Sequence, residues 1–270
     1  MKKNLSTILL VLIFFIGLSI MLYPTVSDYW NSRVQSRAIA DYEAYLADLS
    51  EEDYAGMFGA ADAYNAQIRQ LKDSFVNSGK IKGYDDVLNI NSSGIMGYIT
   101  IEKIGVKLPI YHGTSDAVLN AAVGHLEGSS LPVGGQSTHA VLSAHRGLPS
   151  AKLFTDLDKL ELGDTFQITV LNRVLTYEVD QIQIVEPTEI SELYIRDGED
   201  HCTLITCTPY GINTHRLLVR GTRIETILGR PVYITSNALR IDPIIVAPVV
   251  AAPILLVLLI VLLVRYRKKR

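Results

Sequence analysis

Residues 203 to 216 read TLITCTPYGINTHR. The β-type run TLIT leads into Cys207, a Pro-Tyr-Gly turn follows, and a second strand is predicted to begin near Arg216. This order predicts a hairpin that holds a thiol beside a permanent positive charge. The thiolate is the reactive form of cysteine, and a neighbouring cation favours it. Because a guanidinium can also stabilise an oxyanion, the segment is predicted to form an enzyme active site.

Short β-type runs extend on the N-terminal side of this hairpin as far back as residue 95. Turn clusters such as EGSSLPVGG at 127–135 separate them. Many short strands with little helix between them favour a closed or nearly closed barrel, predicted here over residues 95–223. A domain of this length can bury a core of its own. The predicted strands are Gly97–Ile101, Val106–Tyr111, Ala140–Ser143, Thr165–Leu171, Val174–Val185, Cys202–Cys207 and Thr214–Gly221.

Two apolar runs without charged residues, 5–22 and 244–264, bracket the chain. Each is about long enough to cross a hydrocarbon core of ~30 Å at ~1.5 Å per residue. Basic residues flank their outer ends, in the tails 1–4 and 265–270. By the positive-inside rule both termini are cytoplasmic, and everything between the two membrane helices is extracellular. The sequence therefore predicts a multi-pass protein of the cell membrane.

The first apolar run has an alternative, since its lysines and apolar core also fit a cleaved signal peptide. No clear small-x-small cleavage site follows Leu22, which favours an uncleaved membrane helix. From Asp28 to Leu71 the chain is rich in Ala, Leu, Glu and Tyr and has no proline, so a helical extension is predicted there. Ser50 to Asp53 has the form of a capping box that starts its second helix. Residues 72–94 are predicted to form a loop, and 224–243 connect the barrel to the second membrane helix.

The charge balance argues against a nucleic-acid partner. The chain has 25 Lys and Arg against 28 Asp and Glu, and the basic tails hold several of the cations, so the extracellular part is clearly acidic. The sequence has no zinc or nucleotide motif, and no cofactor or metal is expected. The acidic stretch Asp197 to Asp200 could contact calcium, but a solvated turn is the preferred interpretation.

Both cysteines, Cys202 and Cys207, are predicted to be free thiols. An extracellular pair would ordinarily suggest a disulfide. Five residues of extended strand, however, separate these two by roughly 16 Å and turn them to opposite faces, whereas a disulfide needs Cα atoms within about 7 Å. Cys202 is interpreted as a core thiol and Cys207 as the one that is used.

Three separated segments together resemble the sortase family, most closely its class C, pilus-assembling branch. They are the run Thr203–Cys207, the downstream Arg216, and the upstream SAHRGLP at 143–149. Supporting stretches are VGHLEGSSLPVGG at 123–135 and LFTDLD at 153–158. The resemblance covers roughly residues 95–223. It implies a mainly β fold: a closed sortase-type barrel of about eight strands, with an N-terminal helical extension and two flanking transmembrane helices.

The resemblance implies a cysteine transpeptidase. Such enzymes cleave an LPxTG-like sorting signal between Thr and Gly, hold the acyl half as a thioester, and in class C pass it to a pilin lysine. Cys207 would be the nucleophile, His145 the general acid and base, and Arg216 the residue that stabilises the oxyanion or orients the peptide. The implied partners are sorting signals and a pilin lysine amine, and the protein is expected to be a monomer.

Class C sortases usually carry a lid with an Asp-Pro-aromatic triplet in the loop before the barrel. Asp73-Ser74-Phe75 stands at the matching place. The resemblance implies that Asp73 pairs with Arg216 and that Phe75 covers Cys207. Ser74 replaces the expected proline, so the backbone is less fixed and a looser lid is predicted. The alternative is an ordinary polar loop.

Each assignment has a plainer alternative. Cys207 could be a buried core residue, His145 a turn histidine and Arg216 a surface arginine like Arg220 and Arg223. The remaining histidines are interpreted as packing or surface residues, with His125 the nearest of them to the site; they are His112, His125, His139, His201 and His215. The alternative functions are a sortase that attaches proteins to cell-wall peptidoglycan, a non-catalytic surface scaffold, and a conventional cysteine protease.

Overall fold

The structure is a computed structural model that describes residues 2–226, 255–257 and 260. Contacts divide the chain into two compact units: residues 31–228 form one, and residues 2–30 belong to the other. Helix α1 spans Lys2–Leu46. Within the described residues it is the one helix long and apolar enough to cross a membrane. The predicted second span, 244–264, lies almost wholly outside the described residues, so the two-span topology stays a prediction.

Helix α1 runs on through Pro24, so one continuous helix includes the apolar run 5–22 and the start of the predicted extension. Helix α2, Glu51–Gln70, starts at the predicted capping box: the Asp53 amide donates to the Ser50 hydroxyl at 3.2 Å, and the Ser50 amide donates to the Asp53 carboxylate at 2.9 Å. Two short helices follow, α3 at Ser74–Asn77 and α4 at Asp116–Leu119.

Helix α2 packs against the barrel through one apolar stripe. Phe58, Ala61, Tyr64 and Ile68 recur at intervals of three and four residues, so they share a face of the helix, and all four are buried. On the same face, the Asn65 side chain donates to the Leu131 carbonyl at 3.2 Å and accepts from the Leu131 amide at 2.7 Å. This pair of hydrogen bonds fixes the helix against the loop that follows β3.

Eight strands close into a barrel in the order β1-β2-β3-β4-β7-β8-β6-β5, which confirms the predicted fold. The pairs β2/β3 and β4/β7 are parallel and the others are antiparallel. One strand, β3, was not predicted, because three residues are too few to show a period of two. The strands are β1 Ile95–Ile101, β2 Val106–His112, β3 Val123–His125, β4 Thr138–Ser143, β5 Thr165–Val170, β6 Arg173–Val185, β7 Asp200–Thr208 and β8 His215–Ile224.

Alternation along the strands gives the barrel two chemically different faces. The inward face carries the main core, to which Cys202 and Leu204 of β7 contribute. On the outward face a second, smaller apolar cluster is centred on Val141, Leu193 and Leu218, with Ile205 packed against it. This outward cluster marks the surface on which the predicted site residues are found.

Candidate active site

Cys207 is the penultimate residue of β7, and its side chain points outward. It is two residues beyond Ile205, so it shares the face of the outward cluster, and it is partly exposed. Cys202 faces the core and is fully buried, and burial raises the pKa of its thiol far above the ordinary value. Both thiols are free, as predicted. The accessible sulfur is therefore that of Cys207.

Arg216 stands directly opposite Cys207 in the antiparallel β7/β8 pairing. Side chains of directly opposed residues share a face, with Cβ atoms about 4.5–5.5 Å apart. One guanidinium nitrogen, Nη1, donates to the carbonyls of Asn213 at 3.3 Å and His215 at 3.1 Å. Those contacts tie the side chain to its own turn. The charge itself has no acidic partner among residues 9–226, so it remains available to an anion at the sulfur.

His145 comes level with Cys207 through the parallel β4/β7 register. Ser143 is paired with Ile205, and two residues beyond each lie His145 and Cys207. The Ala144 amide donates to the Ile205 carbonyl at 3.1 Å, so the register continues past the end of β4. Neighbouring strands are about 4.8 Å apart. The imidazole, the thiol and the guanidinium thus occupy three adjacent strand ends, in that order.

Two contacts fix the loop that carries His145. The Thr206 hydroxyl donates to the Ala144 carbonyl at 2.8 Å, and the Phe154 amide donates to the His145 carbonyl at 3.1 Å. They link the loop to the residue before Cys207 on one side and to the segment 153–159 on the other. The backbone of the loop is therefore fixed by contacts that do not involve the His145 imidazole.

Arg146 contacts both the segment 153–159 and the hairpin that carries Cys207 and Arg216. Its side chain, 9% exposed, pairs with Asp158 and donates to the Thr208 hydroxyl at 3.4 Å. The guanidinium also lies 5.9 Å from the centre of the Tyr210 ring, a residue of the turn between Cys207 and Arg216. Arg146 belongs to the motif SAHRGLP, but no role was predicted for it. Its partners could not be read from sequence because they come from two other segments.

A groove of about 360 Å³ opens beside these residues. Arg216 lines it directly, and so do Ser143 and Ile205, the residues two positions before His145 and Cys207. Its floor is the outward apolar cluster, and it is large enough for a short extended peptide. A thiol, an imidazole and a guanidinium at the edge of a peptide-sized cleft are the groups that acyl transfer by a cysteine requires.

Phe75 lines this groove. Its ring packs on the outward cluster and meets the Tyr194 ring edge-on, with centres 5.3 Å apart. The backbone at Ser74 and Phe75 packs against Gly128. The φ of Gly128 is +94°, and a Cβ added there would lie 2.8 Å from the Phe75 Cα atom. A glycine is required at position 128 by both conditions.

The expected ion pair between Asp73 and Arg216 is not formed in the structure. Asp73 adopts the left-handed conformation at φ 52°, and its carbonyl accepts the Val76 and Asn77 amides at 2.9 and 3.0 Å. Within residues 9–226 its carboxylate has no ion pair. The segment is therefore held by the Phe75 ring and the Gly128 contact rather than by charge.

The histidines outside the triad are structural in different ways. His125 was predicted to be the nearest to the site, and this is wrong: it pairs with Leu142 and so faces the core, on the opposite side from Ser143. It is hydrogen-bonded to Tyr84 and Ser130, and burial lowers its pKa to about 4. Burial likewise lowers the pKa of His139 to about 4.

Asp197 and Asp200, the ends of the acidic stretch that could have contacted calcium, bind other residues of the chain. The Asp200 carboxylate accepts the Gly135 amide at 2.8 Å and the Tyr177 hydroxyl at 3.1 Å. Asp197 instead forms an exposed pair with Arg69. Within the described part of the chain no cluster of His, Cys, Asp and Glu has the arrangement of a metal site.

A free thiol beside an arginine and a histidine loop, at the edge of a groove on a closed barrel, is an arrangement suited to cysteine acyl transfer. Comparison with known proteins agrees. Residues 99–224 match the family model of the sortase domain. Sortase C1 of Streptococcus agalactiae is 48% identical, with a TM-score of 0.65, and the match covers 71% of this chain and all of that one. The chain belongs to the sortase family of cysteine transpeptidases.

Other relatives extend the comparison. Sortase C1 of GBS pilus island 1 is 42% identical over 73% of this chain and 95% of its own, with a TM-score of 0.66. A Clostridium perfringens sortase C, solved with the C-terminal cell wall sorting motif, is 46% identical over 71% and 100%, with a TM-score of 0.63. The curated sortase A of Streptococcus agalactiae is 30% identical over 117 residues, 42% of this chain and only 47% of that protein's length.

Proposed function

We propose that this sortase is a class C enzyme that cleaves an LPxTG-like sorting signal between Thr and Gly and joins the new acyl end to a lysine of a pilin subunit. The observation that carries the proposal is the strand register, which sets Cys207 opposite Arg216 and level with His145. The solved relatives named sortase C, one of them from a pilus island and another holding a sorting motif, support the choice of substrate.

The first half of the reaction forms the thioester. The Cys207 thiolate attacks the threonine carbonyl carbon, and the carbonyl oxygen takes up negative charge on the side of Arg216. When the tetrahedral intermediate collapses, the C–N bond to glycine breaks and His145 gives a proton to the departing amine. The Arg216 side chain is held by the carbonyls of its own turn, so its remaining N–H groups are set in place before the charge develops.

The second half returns the enzyme to its starting state. An acceptor amine gives a proton to His145 and attacks the thioester carbonyl, the C–S bond breaks, and the electron pair returns to Cys207. Water is excluded only as long as the groove is covered, and Phe75 forms part of its wall. We propose that the lid segment with Asp73 and Phe75 lies over the cleft at rest and that Phe75 is its principal contact.

The protein would act at the outer surface of a Gram-positive cell membrane. Helix α1 supplies one span by length and composition. The second apolar run and the basic C-terminal tail support a second span with both termini in the cytoplasm. The catalytic barrel then faces the pilins that it would join.

A mass spectrum tests the chemistry directly. The full-length protein in detergent micelles is incubated with an LPxTG-type peptide and trapped by acid. Acyl addition at Cys207 in the wild type, and none in Cys207→Ala, is expected. Failure of Cys207 either to be acylated or to be alkylated would favour the non-catalytic scaffold.

Attachment of proteins to cell-wall peptidoglycan is the second candidate, since the curated relatives carry the name sortase A. Incubation with a pilin subunit separates the two. Covalent ladders of pilin support pilus assembly. Acyl transfer to a peptidoglycan-derived amine without ladders would support anchoring to the wall instead.

A further inference from the structure

The groove crosses five neighbouring strands in the order β3, β4, β7, β8, β6. His145 follows β4, Cys207 is on β7 and Arg216 is on β8. The thiol therefore has the imidazole on its β3 side and the guanidinium on its β6 side. The groove extends to both sides of Ser143, Ile205 and Arg216, which line its middle. Toward β3 it is lined by Thr114, Leu119, Leu126 and Glu127, and toward β6 by Val185, Pro187, Glu189 and Ile190.

The two halves of the groove suit different reactants. The attacking amine must pass its proton to His145, so its approach is from the β3 side. A lysine that arrived over Arg216 would instead bring a second cation against the guanidinium, which is unfavourable at short range. The β6 half, next to the oxyanion donor, is left for the peptide whose carbonyl is attacked. Strand order alone therefore assigns each half of the groove to one substrate.

We propose that the β3 half of the groove is the subsite for the acceptor lysine, in which Glu127 attracts the ammonium group while Leu119 and Leu126 contact its methylene stem. This assignment rests on the proposed transpeptidase function and adds the residues that select the second substrate. An amphipathic side chain of this kind buries its apolar stem and keeps its charge at a polar tip.

Glu127 is placed to do this. The Leu126 amide donates to the Val141 carbonyl at 2.9 Å, so the backbone before Glu127 is fixed to β4. The carboxylate is exposed and, within residues 9–226, takes part in no ion pair or side-chain hydrogen bond. Its counterpart Glu189, in the β6 half, already accepts the Ser191 amide at 2.9 Å. The uncommitted carboxylate thus lies on the side where the reaction needs a lysine.

The lid segment, Asp73 to Phe75, lies next to the β3 half of the groove. Ser74 and Phe75 lie against Gly128, the residue that follows Glu127: a Cβ at Gly128 would lie 2.8 Å from both the Ser74 carbonyl oxygen and the Phe75 Cα atom. The closed lid therefore covers the approach to Glu127. A lysine reaches the thioester from this side only after the segment lifts.

Acceptor competition tests the assignment in full-length protein in detergent micelles. An LPxTG-type peptide is the donor, and two acceptors are compared: a lysine-containing peptide, which is a cation, and hydroxylamine, which is neutral near pH 7.5. The ratio of lysine transfer to hydroxylamine transfer is measured in the wild type and in Glu127→Gln. Loss of one charge contact of ~1.4 kcal/mol corresponds to a fall of about tenfold in that ratio.

Glu178→Gln is the matched control. Glu178 is an exposed β6 residue outside the groove, and its replacement by Gln removes the same charge. The ratio is expected to fall in Glu127→Gln alone, and the fall is expected to shrink at high salt. An unchanged ratio in Glu127→Gln, or an equal fall in both variants, overturns the acceptor subsite. Absence of both products in the wild type would instead overturn the proposed function itself.

Discussion

The hydroxyl of Thr206 donates to the carbonyl of Ala144 at 2.8 Å, and this buried bond joins the residue before Cys207 to the residue before His145. It is the shortest connection between the strand that carries the thiol and the loop that carries the imidazole. Thr206 is buried, whereas Cys207 shares the outward face of β7 with Ile205, which lines the groove. The thiol can therefore be positioned by a residue on the opposite face of the strand.

Thr206→Val tests this positioning role. Valine has the same shape but no donor, so the Ala144 carbonyl is left buried without its partner, at a cost of about 1–3 kcal/mol in stability. We expect kcat for peptide cleavage to fall by about tenfold, a loss of ~1.4 kcal/mol, with little change in KM. Thr206→Ser, which keeps the hydroxyl, should recover most of kcat. A loss of thermal stability with no fall in kcat would show that the bond is merely structural.

Arg216 is predicted to act on the transition state. Replacement by Ala removes an oxyanion donor, which typically costs about 10²–10³ in rate, and kcat/KM for peptide cleavage measures it. Arg216→Lys keeps the charge but loses the fork of donors, so an intermediate loss is expected. Arg223, on the same strand but beyond the groove, supplies the control: Arg223→Lys should stay near the wild-type rate. Equal activity in Arg216→Ala and the wild type would remove Arg216 from the mechanism.

The lid is predicted to depend on its ring rather than its carboxylate. Phe75→Ala removes part of the wall of the groove and the contact that holds the lid segment on the outward cluster. Alkylation of Cys207 by a small reagent should therefore become several-fold faster, because an apolar contact of about 1 kcal/mol or more is lost. Asp73→Ala should change the rate much less, since Asp73 and Arg216 form no pair. A larger effect from Asp73→Ala than from Phe75→Ala would restore the ion pair that the resemblance implied.

Selective labelling follows from the opposite orientation of the two thiols. In the folded protein an alkylating reagent should modify Cys207 and spare Cys202, and both should react after denaturation; peptide mass spectrometry reads this out. Cys202→Ser places a hydroxyl in the core and is expected to cost about 1–3 kcal/mol in stability. Modification of Cys202 in the native protein would mean that the barrel opens on the time scale of the experiment.

Buried histidines, among them His125 and His139, make stability depend on pH. His125 and His139 have pKa values of about 4 when folded, against 6.5 for the free side chain. Below pH 6.5 the unfolded chain binds protons that the folded chain does not, so stability is present above that pH and is lost as the pH falls toward 4. Each contributes a loss on the order of 3 kcal/mol by pH 4.

Urea unfolding of the full-length protein between pH 7.5 and 4.5 measures this dependence. His139→Gln replaces the titrating ring near the Thr203 hydroxyl and the Tyr194 carbonyl with an amide. The variant should have a shallower decline in stability with acid than the wild type, whatever its stability at pH 7.5. Parallel curves for the two proteins would exclude a contribution from His139.

Much of the fold could be predicted from local patterns. The alternation of β-type runs with turns predicted seven of the strands, and the capping box at Ser50 predicted the start of α2. Strand β3 was missed because its three residues carry no periodic signal.

The contacts of the site were less predictable, because they join distant segments. The pair expected between Asp73 and Arg216 and the closeness of His125 to the site were both wrong. Each of these two relationships depends on which face of a strand, or which side of a loop, the residue occupies in the folded protein. The roles of Thr206 and Arg146 were missed for the same reason, since their partners lie 62 and 12 positions away.

The linear order of residues was enough to predict the chemistry of this protein: a thiol near an arginine on one hairpin, a histidine in a recognisable loop, and strand-forming runs around them. Local composition and spacing carry that information because secondary structure and reactive groups are properties of neighbouring residues. Only the closed barrel decided the order imidazole, thiol, guanidinium across the groove, and which face of β7 each cysteine occupies. Strand pairing between remote segments sets those relations, and no short stretch of sequence contains them.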